Sequence, residues 1–369
     1  MQKVVFEVIG MGAKKYGGFE KYILEEAKQL EVKGYKLIII FDTPPLADKY
    51  VQDLLKYGVT IYTIPYSKKG FFIKSFLKLI NEYHPQIVHT NFSSNVFVVQ
   101  FISFITNIPK RIATEHCLPI FNTFLSRIKV TLFSTFVHKI LPVSKESTIS
   151  IRKGLFFNKN KVRTLYLGVN DFHFDYVKMR EKYQLPKNQI LIMNIAYHNP
   201  VKGVDVLLHA FAILIHQYKL KNIVLCQIGG GQTGNDTTAL KKLANELNIN
   251  NNIIWMGIQN NVPEILSAGD IYCQPSRSEG IPLSLMEASL AQLPIVATNV
   301  GGNSEAAIHN ENAILVKSED YENMAAALRQ FITNSDMRIS YGKRGREIAL
   351  NNFCIEQQVS KLINSIYFE

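Results

Sequence analysis

Residues 270–298 read DIYCQPSRSEGIPLSLMEASLAQLPIVAT. The apolar run Asp270–Gln274 stops at Pro275, and a second run, Ile295–Thr298, begins after Pro294. Between them Leu283, Leu285, Met286 and Leu290 mark a largely apolar, helix-length segment. Two short buried strands joined through a helix form a βαβ unit, whose strands lie parallel with both faces covered. The same alternation extends in both directions. Ile190–Ala196, Ile223–Ile228, Ile253–Met256 and Ala313–Val316 read as further strands, and Val204, Leu207, Leu208, Phe211 and Ile215 lie on one helical face.

The first half of the chain repeats the pattern. Val4–Ile9, Lys36–Phe41, Val59–Ile64, Ile87–Thr90, Arg111–Glu115, Lys139–Val143 and Lys161–Tyr166 read as strands, with helices over Phe72–Tyr83 and residues 94–106. A polar stretch, Gly168–Lys187, separates the two halves and puts a domain boundary near residue 170. The chain therefore reads as two α/β domains in tandem, with ligands expected at the C-terminal ends of the strands and in a cleft where the two sheets face each other.

Composition bounds the function. With 369 residues, 47% hydrophobic and 19% charged, the chain is long enough for two buried cores and too apolar to be disordered. Cys117, Cys226, Cys273 and Cys354 are scattered, which argues against a disulfide framework or a zinc site and favours a reducing compartment. The greasiest stretch, Val96–Ile105, is half of the about 20 residues that a membrane span needs. The expectation is a cytoplasmic chain, at most peripheral to a membrane. Residues 1–170 carry 24 Lys and Arg against 11 Asp and Glu, whereas residues 171–369 carry 17 against 19. The positive surplus thus belongs to the first half, where it is either a solvated surface or a site for an anionic partner.

Four loops carry candidate chemistry. The loop from Gly10 to Glu20 places Gly17 and Gly18 just ahead of a helix, whose free N–H groups suit a phosphate. Gly229, Gly231 and Gly234 match G-x-G-x-x-G, but the next strand ends without the acid that would hold a ribose, so a nicotinamide site is rejected in favour of a strand-to-helix loop lining the cleft. Lys202, at a helix start where a cation opposes the dipole, reads equally as an anion ligand or a solvated side chain. In residues 275–288, Glu279 precedes the helix and Glu287 lies within it, so both carboxylates can face one polyhydroxyl ligand while the turn between them offers N–H groups to a diphosphate.

Residues 276–305, SRSEGIPLSLMEASLAQLPIVATNVGGNSE, resemble the E-x7-E region of glycosyltransferase family 4, retaining enzymes of the GT-B fold. The resemblance extends along nearly the whole chain through GGFE (17–20), IVH (87–89), TEH (114–116), VSK (143–145), VKG (201–203), WMG (255–257) and VGGNSE (300–305). It implies two Rossmann-like domains. Residues 1–169 form the acceptor side, with a C-terminal helix over about residues 353–369 packing back on it, and residues 170–352 bind the nucleotide sugar.

The resemblance also implies roles. Gly17 and Gly18 correspond to the loop at the donor diphosphate, His116 to the histidine beside the donor sugar, and Lys202 to the diphosphate lysine. Glu279 corresponds to the acid on the sugar hydroxyls, with the amides of Gly280, Ile281, Pro282 and Leu283 nearby, and Glu287 to the acid on the nucleotide ribose. The implied reaction moves a sugar, with retention, from a nucleotide-diphosphate sugar to a saccharide or lipid-linked acceptor, as in bacterial surface polysaccharide synthesis. A UDP-sugar is the expected donor. No D-x-D motif is present, so no cofactor or metal is expected and protein cations would stabilise the leaving group.

Two departures stand out. Ala196 occupies the place where many members have an Arg six residues before the lysine, which puts the strength of donor binding in question unless Lys14 and Lys15 compensate. Leu167 replaces the usual asparagine before Gly168. The alternatives are a nucleotide-sugar epimerase of the same architecture and a non-catalytic basic protein at an anionic membrane surface. No nucleic-acid-binding signature is present. Two basic and apolar stretches, Lys68–Lys78 and Phe121–Lys139, are the candidates for membrane contact, the alternative being that their aromatics pack inside.

Overall fold

Strands buried on both faces read as mostly apolar runs, and here they do, with buried polar exceptions such as Glu7, His89, Asn91, Asn194 and Gln227. In the computed structural model, which describes residues 3–13, 15–92, 96–119, 121–231 and 234–368, twelve strands are assigned. They are β1 (Lys3–Ile9), β2 (Tyr35–Phe41), β3 (Thr60–Thr63), β4 (Ile87–Asn91), β5 (Lys110–Glu115), β6 (Lys139–Pro142), β7 (Ile190–Ile195), β8 (Ile223–Ile228), β9 (Ile253–Gly257), β10 (Ile271–Gln274), β11 (Ile295–Thr298) and β12 (Ala313–Val316). They form two six-stranded sheets, ordered β3-β2-β1-β4-β5-β6 and β12-β11-β10-β7-β8-β9. Every strand pairing is parallel.

Renumbered from its own first strand, the second sheet has the same order as the first. Both are doubly wound Rossmann sheets, and each reverses direction once: between β1 and β4 in the first, between β7 and β10 in the second. Ligands of such sheets bind beyond the C-terminal ends of the strands at that reversal. The segments that matter are therefore those leaving β1, β4, β7 and β10.

The chain divides into two compact units, Met1–Val169 with Ile355–Glu369, and Asn170–Cys354. The first unit's core joins Val4, Phe6, Val8, Ile38 and Ile40 to Phe72, Phe76, Leu79 and Ile80 of the helix Lys69–Tyr83. The second unit's core is centred on Leu207, Leu208, Phe211, Leu225, Ile271, Leu328 and Phe331. The chain's last elements, a helix at Ile355–Leu362 and a π-turn at Ile363–Tyr367, bury Val359, Leu362, Ile363, Ile366 and Tyr367 in the first unit.

The strand expected at Lys161–Tyr166 is corrected. Only Lys159–Lys161 is regular there, as a single 3-10 turn. The segment runs beside β6, with one bridge at Val162–Ile140 and amide bonds from Arg163 to Ile140 and from Leu165 to Pro142. Val162 and Leu165 are buried there, but this one-sided bonding does not amount to a ladder. The polar stretch Gly168–Lys187 holds a short helix of its own, Tyr176–Lys182. Residues 94 and 95 of the expected helix 94–106 lie outside the described residues, and the helix is assigned over Val96–Ile105.

Candidate active site

In the second unit the loops leaving β7 and β10 are locked together by glycine. Gly203 has φ +63°, and a Cβ there would lie 2.1 Å from the carbonyl oxygen of Pro275. Gly301 has φ +53°, and a Cβ there would lie 1.9 Å from the carbonyl oxygen of Glu279. Only glycine combines that backbone with that proximity. The V-K-G, P-S-R-S-E and V-G-G motifs, far apart in sequence, thus form one packed set of loops.

That packing brings Lys202 to Glu279. Lys202 Nζ donates to both carboxylate oxygens of Glu279, at 2.7 and 2.8 Å. Glu279 is 8% exposed, and its Oε1 also accepts from Ser276 Oγ at 2.6 Å and Gln274 Nε2 at 2.9 Å. A buried carboxylate is tolerable only with such a full set of donors. Four hydrogen bonds thus hold the carboxylate in place.

Ser276, Gln274 and Arg277 were not identified as site residues from the sequence. Arg277 grips Asp205 with two bonds of 2.9 and 2.7 Å, reaches Glu319 and donates to the Pro200 carbonyl. It spans the same two loops as Lys202 and Glu279, but its guanidinium is already committed to carboxylates. The signal was available, since Ser276 and Arg277 lie within the motif that carries Glu279.

Glu287 lies in the helix Leu283–Leu290, partly buried, eight residues after Glu279. Pro282 is the residue ahead of this helix and has no N–H, so of Gly280, Ile281, Pro282 and Leu283 only the other three can donate an amide. Ala196 is 6% exposed at the end of β7 and bonded to the backbone of Ile228. Gly229 sits against it, where a Cβ would lie 1.9 Å from the Ala196 carbonyl oxygen, so the first glycine of the second Gly cluster serves packing. The neighbouring His198 is buried and bonded to Thr237 Oγ1 at 2.7 Å. Tyr197 is 45% exposed. Neither supplies the permanent charge of an arginine. Lys14 lies outside the described residues, and Lys15 is exposed beside Glu20.

In the first unit the loops leaving β1, β4 and β5 meet at His116. Phe92, directly after β4, stacks on the imidazole at 3.6 Å between centroids and 17° between planes, and Phe19 meets it edge-on at 5.3 Å. Phe19 follows Gly17 and Gly18, so the glycine loop and His116 adjoin. Gly17 caps the helix Gly18–Val32, and its N–H donates to Glu20 Oε2 at 2.9 Å. His116 Nε2 lies 2.9 Å from Asn91 Oδ1, while Nδ1 is buried with no hydrogen-bond partner among the described residues. Burial, reinforced by repulsion from His89, pushes the imidazole down to about 3, so it is neutral at any working pH.

Behind His116 lies a buried polar cluster that was not anticipated. Asn91 Nδ2 donates to Glu7 Oε2 at 2.7 Å. Glu7 Oε1 is 2.6 Å from His89 Nδ1 and 2.8 Å from the hydroxyl of Tyr367, which also reaches Glu26 Oε1 at 2.6 Å. Burial raises Glu7 to about 8 and lowers His89 to about 4. Burial, the leading cause in both, disfavours the charged form of each.

Comparison with known proteins follows the same boundaries. The family described as Glycosyl transferases group 1 matches residues 175–348, and Glycosyltransferase Family 4 matches residues 16–171. The chain belongs to the family 4 glycosyltransferases. It is 25% identical to the N-acetyl-alpha-D-glucosaminyl L-malate synthase of Bacillus anthracis over 211 residues, covering 56% of this chain and 54%, about half, of that protein. It is 22% identical to the UDP-Gal:alpha-D-GlcNAc-diphosphoundecaprenol alpha-1,3-galactosyltransferase of Escherichia coli, over 95% of this chain and 94% of that one. Among solved structures, Anabaena Alr3699/HepE in complex with UDP superposes with a TM-score of 0.82 at 17% identity, over 100% of both chains. The fold of this family 4 glycosyltransferase is accordingly GT-B.

Proposed function

We propose that this family 4 glycosyltransferase moves a sugar, with retention of configuration, from a nucleotide-diphosphate sugar, a UDP-sugar in the first instance, to a saccharide or lipid-linked glycan in bacterial surface polysaccharide assembly. The observation that carries the reading is the Lys202–Glu279 pair at the reversal of the second sheet. Lys202 and Glu279, held side by side there, offer one group for a diphosphate and one for sugar hydroxyls. The near full-length likeness to a galactosyltransferase that acts on a diphosphoundecaprenol glycan supports the acceptor class.

The chemistry assigned to each residue follows from charge. Breaking the sugar–diphosphate bond builds negative charge on the leaving oxygen, and Lys202 with the amides of Gly280, Ile281 and Leu283 stabilises it. Donor entry exchanges the Glu279 partner of Lys202 for phosphate and frees Glu279 for hydroxyls. Glu287 holds the ribose, and neutral His116 lines the sugar side. With these groups in place the reaction proceeds without a metal. A rise in melting temperature with UDP or GDP, absent with NAD and RNA, tests the nucleotide assignment.

Membrane contact is the second part of the proposal. Among the described residues no helix is long and apolar enough to cross a membrane. In the stretch Lys68–Lys78, Phe72 and Phe76 belong to the core, leaving Phe71 and Ile73 exposed. In the helix Phe124–Phe136, by contrast, Phe124, Leu125 and Leu132 are 70%, 59% and 48% exposed. Phe156 and Phe157 extend this face, with Arg127 over the Phe156 ring at 4.4 Å. An exposed aromatic face with cations suits the headgroup layer of an anionic leaflet.

A further inference from the structure

His116 is held more firmly than its packing alone requires. Phe92 adopts φ +48°, a region in which a bulky non-glycine side chain is strained, and in that conformation its ring lies flat on the imidazole. Such strain persists where surrounding structure enforces it, and it gathers at functional sites. A second restraint is independent of the first. It runs from His116 through Asn91 to Glu7, His89 and Tyr367.

The direction of the hydrogen bonds that reach His116 through Asn91 can be assigned. His89 Nε2 is 2.7 Å from Thr114 Oγ1, and its Nδ1 faces Glu7 Oε1 at 2.6 Å. The Tyr367 hydroxyl also lies 2.7 Å from His89 Nδ1 and 2.8 Å from Glu7 Oε1, while Glu7 Oε2 accepts from Asn91 Nδ2. Asn91 must then present Nδ2 to Glu7 and Oδ1 to His116. An amide oxygen can only accept, so the proton of His116 lies on Nε2 and Nδ1 keeps its lone pair.

We propose that Glu7 and Asn91, backed by Tyr367, are positioning residues that fix the tautomer and ring plane of His116, so that Nδ1 is kept as its proton-free acceptor atom. The inference rests on the reading of His116 as a group beside the donor sugar. It adds that a buried carboxylic acid two hydrogen bonds away sets the state of that group.

The test uses full-length protein labelled with 15N-histidine, in which long-range proton–nitrogen spectra report each tautomer, with His116 assigned through H116Q. The wild type shows His116 neutral with the proton on Nε2. Glu7→Gln mimics the protonated acid, with a donor on one atom and an acceptor on the other, and keeps both tautomer and kcat. Glu7→Leu and Asn91→Leu lose the fixed tautomer and lower kcat about 10–100-fold, the usual effect of removing a group that orients a functional side chain, with donor KM unchanged. Asn91→Asp, protonated on the oxygen that faces Glu7 Oε2 and accepting from His116 on the other, keeps the tautomer and serves if the leucine variants fail to fold.

An Nδ1–H tautomer in the wild type would overturn the proposal, as would an unchanged Nε2–H tautomer in both leucine variants. A shift of the His89 signals on adding zinc or manganese would also overturn it by making the cluster an ion site. Full transfer by His116→Ala, with the spectra as expected, would instead remove His116 from the reaction and leave the structural relay standing.

Discussion

Lys202 Nζ lies 2.7 Å from Oε1 and 2.8 Å from Oε2 of Glu279, closing a bidentate pair between residues 77 positions apart. The pair holds both side chains in place before any donor arrives. Glu279→Ala should remove most transfer while nucleotide still binds, and Glu287→Ala should weaken nucleotide binding itself. Each loses a charged hydrogen-bond partner, which costs about 1.5–3 kcal/mol. Donor turnover and calorimetric titration of nucleotide on each variant separate the two effects.

Gly203→Ala and Gly301→Ala should each destabilise the second unit. A left-handed backbone position without glycine costs about 1–3 kcal/mol, and both Cβ atoms would strike the loop that carries Glu279. Donor affinity should fall further than the loss of melting temperature alone accounts for. A glycine variant with wild-type donor affinity would separate these loops from the site.

Stability should depend on pH through Glu7. Its folded value of about 8 exceeds its ordinary 4.5, so the stability it contributes is complete below 4.5 and is lost as pH rises through 8. His89 and His116 act oppositely. Their lowered values, about 4 and about 3 against 6.5, mean that protonation of the unfolded chain costs stability as pH falls below 6.5. Thermal melts from pH 6 to 9 should show a decline that Glu7→Gln flattens.

Anionic vesicles should recruit the protein reversibly at low salt. Phe124→Asp and Leu125→Asp should release it more fully than Phe71→Asp, because the helix Phe124–Phe136 shows more apolar surface than the face around Phe71. Charge reversal at Lys68, Lys69, Lys74 and Lys78 should weaken binding by about 1 kcal/mol per cation near the surface. Co-sedimentation at two salt concentrations measures both contributions.

The strands were legible because burial on both faces leaves a largely continuous apolar signature, as in Leu37–Phe41. Lys161–Tyr166 shows the limit of that signal, since apolar residues record burial and say nothing of ladder bonding. Glu279, Glu287 and Lys202 were legible as motif residues, but the Lys202–Glu279 contact was not, because it depends on two loops being packed through Gly203 and Gly301. Glu7 lies inside the expected strand Val4–Ile9 and was not identified as a site residue. A carboxyl group inside a strand as apolar as Val4–Ile9 is itself a sign of buried polar partners, yet those partners, His89, Asn91 and Tyr367, come from distant parts of the chain.

The central claim is transfer from a nucleotide sugar at the Lys202–Glu279 site. The most direct measurement incubates the wild type, Lys202→Ala and Glu279→Ala with radiolabelled UDP- and GDP-sugars and bacterial membrane lipid extract, and follows label into glycan or glycolipid. The account predicts incorporation from one donor class by the wild type, in the presence of EDTA, and its loss in both variants. Incorporation that both variants retain, or a wild type that turns over none of the donors, would contradict it.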